Sequence, residues 1–359
     1  MSNNDSLCGF VKHEIGSYYK ENIHVYITIP ICSVGMILNL LNVLVFTRKT
    51  MNSPPNLILA HLAFVDFLFL LSNIAESWLT YFQFENDSDR KQSYGWTILY
   101  LYSDISLDTF HFISIFLTVQ LAVWRYIAVV HPLKERHWCT KKITRNVVIT
   151  GHVVCTVSFA VAYLLSLDID ARNVDGITYY KVTSKRHPIT NSIRFLAYGL
   201  VIKIFPSFVL AGLTSRIVVT LLARKNHREQ LGPSASTRSN IKNVEMRQQT
   251  KRSTTILLAV AALFFMAEFP VGILRLLATI NERDWKACYY SLGEMFLTIA
   301  NINTSVTFMV YYTLSQQFRT TFKSMFSGNP RTSISHQTHP PLVLGDSKET
   351  DSGWKSFEV

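Results

Sequence analysis

The chain has 359 residues, of which 48% are hydrophobic, 13% aromatic and only 16% charged, with a formal net charge of +11. Soluble domains carry about 25% charged residues; a chain of this length could bury a large core in water, but its apolar residues gather in long runs instead of being spread as a soluble core needs. The basic surplus gathers in a few short connectors, which excludes a nucleic-acid patch and fits a bias toward one membrane face.

Residues 1–22 read as a polar tail carrying Cys8 and the glycosylation triplet Asn4-Asp5-Ser6. Nothing in it resembles a signal-peptide core, so the first helix is expected to be the uncleaved insertion signal. Seven apolar runs of roughly 20 or more residues follow, each long enough to cross about 30 Å of hydrocarbon as a helix. They lie near Ile23–Thr47, Asn56–Tyr81, Ile98–Val130, Val147–Leu167, Ile193–Ala223, Ser253–Ile280 and Cys288–Thr313. Connectors after the first, third and fifth runs hold Arg48 and Lys49; Lys134, Arg136, Lys141 and Lys142; then Arg224, Lys225, Arg228, Lys242, Arg247, Lys251 and Arg252. The alternate connectors, such as "FENDSDRK" with the triplet at Asn86, mix signs. The positive-inside rule therefore places the N-terminus outside and the C-terminus in the cytoplasm of a multi-pass membrane protein. Asn303-Thr304-Ser305 also fits the glycosylation pattern but lies inside the seventh run.

Polar residues fall in stripes along four of these runs. The second has Asp66, Asn73 and Glu76; the third has Asp104, Asp108 and His111, with Ser114 next on that face. The sixth has Glu268, Gly272, Arg275 and Thr279, and the seventh has Glu294, Thr298, Asn301 and Ser305. Each spacing puts its residues on one side of a helix. Intramembrane ionisable groups are costly and turn inward. Single ones read as interhelical hydrogen bonds, whereas four converging stripes read as a cavity in the outer half of the bundle. An odd span count without internal repeat argues against a two-fold transporter. No P-loop, metal cluster or Ser/His/Asp constellation is present, so no enzyme is expected.

Ordered landmarks then accumulate along the helices: "GMILN" with Gly35 and Asn39; "LAFVD" ending in Asp66; "WRYIAVVHPL" with Arg125, Tyr126 and Pro132; "KIFPSF" with Pro206; Phe264 and Pro270; and "TFMVY" with Tyr311. Over residues 23–326 the chain resembles a rhodopsin-like G-protein-coupled receptor. Its departures are Trp124 for the acid before Arg125, Glu268 for the sixth-helix tryptophan, Thr307-Phe308 for Asn-Pro, and Thr214 for the fifth-helix tyrosine. With "TRK", "EFP" and "SQQFR", it is similar to invertebrate receptors for FMRFamide-like peptides, of the myosuppressin and sex-peptide receptor group.

The resemblance implies an all-α membrane protein: a seven-transmembrane helix bundle with a short amphipathic eighth helix over 315–326 at the inner face. A cytoplasmic tail over 327–359, like the loop "RKNHREQLGPSASTRSNIKNVEMRQQTKRS", is expected to be disordered until bound. The implied ligand is an amidated peptide ending in Arg-Phe, and the implied partner is a heterotrimeric G protein. Glu76, Asp104, Asp108, Glu294 and, deeper, Glu268 are candidates for the peptide arginine, Tyr198, Phe269 and His111 for its phenylalanine, and Arg275 lines the same site. Arg125, Tyr126, Pro206, Phe264, Pro270 and Tyr311 occupy the activation positions. Lys203, three residues before Pro206, is the expected partner of Glu268 in a pair at the pocket floor; a neutral Glu268 bonded to water is the rival arrangement. Asp66, Ser114, Asn39 and Asn303 match a mid-membrane sodium site, the rival there being a protonated Asp66. Without an acid at position 124, a weaker inactive-state restraint and basal activity are expected.

The family's usual outer disulfide cannot form, since Tyr100 stands at the third-helix position and the second outer loop lacks cysteine. Either Cys8 pairs with Cys288 or both are free thiols. Inner loop and tail suit kinases and arrestin, "SFEV" resembles a PDZ ligand, and no cysteine after Cys288 is available for palmitoylation. The other readings are a chemosensory receptor for small molecules and a seven-helix channel or pump.

Overall fold

The computed structural model describes residues 18, 19, 23–85, 93–174, 177–184, 196, 198–230 and 237–326. Asn4, Asn86, Cys8 and the tail from residue 327, including "SFEV", lie outside them. The chain divides into two compact units, Met1–Phe322 and Lys323–Val359. The first holds the bundle; of the second, only the last residues of a helix are described.

The bundle is built from α1 (His24–Phe46), α2 (Pro54–Glu85), α3 (Tyr94–Val130), α4 (Lys141–Ser166), α5 (Phe205–Gln230), α6 (Thr237–Ile280) and α7 (Glu282–Leu314). A short α8 (Gln316–Phe326) follows. Six of the seven are long and apolar enough to cross a membrane, over His24–Phe46, Pro54–Leu79, Tyr94–Val130, Lys141–Ser166, Tyr198–Arg224 and Leu258–Ile280. α7 falls short of that apolar standard because it carries Thr298, Asn301 and Ser305, which are buried against its neighbours. It packs between α6 and α1 and closes the bundle.

Several helix ends have a local cause. Ser93 caps α3 by accepting from the Trp96 N–H, and Thr140 caps α4 by accepting from the Ile143 N–H. Pro132 starts a loop helix, Pro132–Trp138, at a position where a missing N–H costs nothing. Before α5 the chain forms a π-helical stretch, Tyr198–Ile204, running up to Pro206, which cannot donate to the ladder. That wider winding brings Tyr198 and Lys203 to the buried side together.

Two clusters of buried side chains lie among the described residues. Ile115, Ala122, Phe159, Tyr163, Tyr198, Ile202, Leu210, Ile217 and Phe264 join α3 to α6, while Cys32, Phe69, Leu70 and Leu107 join α1, α2 and α3. Glycines permit the closest approaches. A Cβ on Gly272 would lie 2.8 Å from an Ile204 side-chain carbon and 2.9 Å from Lys203 Cβ. One on Gly151 would strike the Phe116 ring.

Two connecting segments carry regular structure. The second outer loop is a β-hairpin, β1 (Leu167–Val174) antiparallel to β2 (Ile177–Ser184), pairing Leu167 with Ser184 through to Val174 with Ile177. The Thr97 hydroxyl donates to the Tyr180 carbonyl at 3.0 Å, and the Tyr94 and Tyr180 rings meet edge-on at 5.3 Å. Non-covalent contacts thus stand where the family has its disulfide. On the inner side α5 continues to Gln230 and α6 begins at Thr237, and the residues between them lie outside those described. The Arg, Lys, Gln, Glu and Met residues of these extensions are good helix formers, and extending a helix already nucleated in the membrane avoids the initiation cost.

Candidate functional site

A cavity of about 1040 Å³ opens between α3, α4 and the start of α5. Its outer part is lined by Tyr100, Asp104, Asp108, Tyr163 and Tyr198, with Arg275 of α6 and Tyr289 of α7. Asp108 accepts from the Tyr198 hydroxyl at 2.9 Å and from the Tyr163 hydroxyl at 2.8 Å, so both its oxygens are engaged. Tyr163 also reaches Asp104 at 3.4 Å. The Arg275 guanidinium lies over the Tyr198 ring at 3.5 Å and near the Tyr289 ring at 4.8 Å. Planar cations stack well on such faces, and this one links α6 to α5 and α7. Glu76 and Glu294 are not among the residues that line this cavity. Glu294 faces His24 Nε2 at 3.5 Å, and Tyr19 and Thr298 hydroxyls meet at 2.8 Å.

Below this cavity, Lys203 Nζ donates to Glu268 Oε2 and also approaches His111 Nε2 at 2.6 Å. The expected Lys203–Glu268 pair is present, with both residues buried. Sequence reasoning missed the third member: His111 Nε2 stands 3.2 Å from both Glu268 oxygens, and its ring packs on Phe69 at 4.9 Å. The i, i+7 step from Asp104 to His111 was the available signal, since it aims His111 at the same interior. His111 and Glu268 line a second, small cavity of about 40 Å³ rather than the outer one. That smaller cavity continues past Phe264 to Asp66, Ser114, Asn303, Thr307 and Tyr311.

Asp66 accepts from the Ser114 hydroxyl at 2.6 Å. Of the four residues matched to a cation site, Asp66, Ser114 and Asn303 share the small cavity. Asn39 does not line it; its Nδ2 donates to the Gly35 and Thr304 carbonyls at 3.0 and 3.2 Å, while its buried Oδ1 has no hydrogen-bond partner among the described residues. The oxygen-rich lining suits a hard cation, and the space suffices for water.

Phe269 corrects the expected pocket. Its ring stacks on Phe265 at 4.5 Å and meets Phe208 edge-on at 5.7 Å. Phe265 and Phe208 are themselves exposed on the bundle exterior. One residue turns a helix by about 100°, so an inward Glu268 carries Phe269 away from the cavity.

At the inner end, Arg125 forms no side-chain hydrogen bond or ion pair among the described residues. Trp124 instead turns to α4, where its Nε1–H donates to Thr144 Oγ1 at 2.9 Å and Thr144 donates to the Thr140 carbonyl at 2.8 Å. Tyr126 packs edge-on to His131 at 5.8 Å. Tyr311 is buried against Phe46 and Phe318, and its hydroxyl has no partner among the described residues. Cys288 is buried and disulfide-bonded, whereas Cys32, Cys139 and Cys155 are free thiols.

A seven-helix bundle with a lined outer cavity, a buried polar floor and an arginine at its inner end defines a G-protein-coupled receptor, not an enzyme. A family model described as "Serpentine type 7TM GPCR chemoreceptor Srw" matches residues 26–329, and the chain belongs to that family. Among its relatives are a sex peptide receptor of Drosophila melanogaster, 23% identical over 323 residues that cover 87% of this chain and 74% of the relative. The G-protein coupled receptor dmsr-1 of Caenorhabditis elegans is 26% identical, covering 86% of this chain and 69% of the relative. A FMRFamide receptor of Drosophila melanogaster is 24% identical, with 82% of this chain spanning 52% of that protein.

Proposed function

We propose that this receptor binds an amidated FMRFamide-like or myosuppressin-like neuropeptide in its outer cavity and signals through a heterotrimeric G protein. The observation that carries this reading is the outer cavity itself, where Asp104 and Asp108 stand among tyrosine rings. Carboxylates beside aromatic faces suit a peptide end that pairs an arginine with a phenylalanine. The names of the sex peptide and FMRFamide receptors among its relatives support the same ligand class.

In the proposed orientation the N-terminus is outside, the C-terminus is cytoplasmic and the receptor sits in the plasma membrane. Arg125, Tyr126, Pro206, Phe264, Pro270 and Tyr311 transmit the response, and rearrangement of Lys203 and Glu268 accompanies it. A sodium ion at Asp66, Ser114 and Asn303 acts as an allosteric ligand. Sodium is then expected to weaken agonist binding in the parent receptor and to leave an Asp66→Asn variant unaffected. Cys8 is the proposed partner of disulfide-bonded Cys288, to be checked by peptide mapping without reductant. Kinases, arrestin and a PDZ protein are proposed partners of the inner loop and tail.

The test is G-protein nucleotide exchange in cells expressing the receptor, against paired amidated and free-acid peptides ending in Arg-Phe. A response that requires the amide and is lost when the peptide arginine becomes glutamate supports the reading. Silence from surface-expressed receptor favours the second reading, a chemosensory receptor for small molecules, for which the family description speaks.

A further inference from the structure

The large cavity does not end at the ligand site. Its lining continues down α4 through Ser158, Val154, Thr150 and Asn146, beside Phe112 and Phe116 of α3. These four α4 residues recur every fourth position and are exposed on the bundle exterior. They flank the buried stripe Thr144, Val148, Gly151, Cys155, Phe159 and Tyr163 by which α4 seats on its neighbours. From Asn146 to Leu165 the slot follows 19 helical steps, about 29 Å at 1.5 Å per residue, close to the full hydrocarbon thickness of about 30 Å.

The inner end of this slot is strongly basic. Residues 132–150 contain the five cations Lys134, Arg136, Lys141, Lys142 and Arg145 against the single acid Glu135. Lys141, Lys142 and Arg145 are exposed, and none of the five forms an ion pair among the described residues. Lys142 lies one turn below Asn146 on the slot's own face, with Arg145 beside it. Trp138, exposed and carrying Lys134 over its ring at 5.2 Å, sits next to them as an interfacial aromatic.

We infer that this slot is a binding site for an anionic phospholipid of the cytoplasmic leaflet. The headgroup phosphate pairs with Lys142 and Arg145, and an acyl chain lies along Thr150, Val154 and Ser158 against Phe112 and Phe116. Charge complementarity selects the occupant. Unpaired cations at the membrane surface attract anionic lipid, each cation contributing about a fivefold change in affinity, and the apolar slot directly above them takes the chain. This site rests on the membrane embedding and orientation, not on the identity of the peptide, so a failure of the peptide reading leaves it standing.

The experiment measures lipid retained by the intact receptor after reconstitution in bilayers mixing phosphatidylcholine with phosphatidylserine, followed by washing and mass spectrometry. The expected result is selective retention of phosphatidylserine by the parent. Removing both cations in the Lys142→Gln/Arg145→Gln variant lowers retention roughly 30-fold, whereas Lys181→Gln on the outer hairpin leaves it unchanged. Val154→Trp, which fills the slot, also lowers it. Equal retention by parent and double variant overturns the assignment. So does displacement of the lipid by soluble glycerophosphoserine at equal concentration, because a headgroup-only anion site needs no slot. Retention of phosphatidylcholine alone, or a second receptor copy in place of lipid, overturns it as well. If the double variant does not fold, the salt dependence of retention by the parent decides: loss at high salt supports the pairing, and indifference refutes it.

Discussion

At His111 the donor count constrains what the pocket floor can do. An ammonium only donates and a carboxylate only accepts. His111 Nε2 therefore accepts from Lys203 as a bare nitrogen, or donates to Glu268 as an N–H, but never both at once. Lys203 serves both neighbours in the observed arrangement. Lys203→Met strands the Glu268 charge and is expected to cost about 3–5 kcal/mol. Lys203→Met with Glu268→Gln is expected to recover most of that loss, as read by thermal unfolding of purified receptor. At Trp124, sequence reasoning saw the missing acid but not the replacement contact. A bond from Trp124 Nε1 to Thr144 restrains α3 against α4 and leaves Arg125 outside the arrangement. Trp124→Asp, by supplying a counter-ion, is expected to lower basal nucleotide exchange, while Trp124→Phe costs about 1 kcal/mol of stability through the lost donor and leaves Arg125 as it was.

Among the elements, the fifth and sixth helices meet most closely where the floor is built. The added Cβ of a Gly272→Ala variant would press on Lys203 Cβ at 2.9 Å. The expected cost is about 1–3 kcal/mol, with agonist potency reduced because the Lys203–Glu268 contact depends on that approach; unfolding and dose-response curves measure the two effects. Polar stripes of i, i+3 and i+4 spacing were legible in the sequence because helical period alone decides which residues share a face. Phe269 was misplaced because a neighbour in sequence was taken for a neighbour in space. The π-helical stretch leaves no such trace, since its wider winding depends on packing around Pro206 and Gly199. For the hairpin a signal did exist: Asp175-Gly176 between two β-prone runs is the strongest short hairpin cue, and the sequence reading did not take it up.

Over the whole molecule, the number of spanning runs, the family and the inward direction of the charged residues were all readable, because bilayer thickness and the cost of buried charge leave few alternatives. The seventh helix was counted as a spanning run by its length and apolar content, even though its composition falls short of the six others among the described residues. What could not be read was one arrangement, in which Lys203, His111 and Glu268 meet from three helical segments, with His111 and Glu268 lining the small cavity and not the large one. It predicts that ligand contacts and floor rearrangement separate experimentally. Asp104→Asn is expected to shift peptide affinity with little effect on maximal response, whereas His111→Ala is expected to change maximal response with little effect on affinity.

Among the described residues the hairpin over the cavity meets α3 through the Thr97 hydroxyl on the Tyr180 carbonyl and the Tyr94 and Tyr180 rings. Contacts of that kind contain no bond that a thiol can cleave, so they are blind to redox conditions. A reductant that cuts a sulfur staple at this place in a relative leaves this joint intact, and its strength is adjustable by a single substitution at Thr97 or Tyr94.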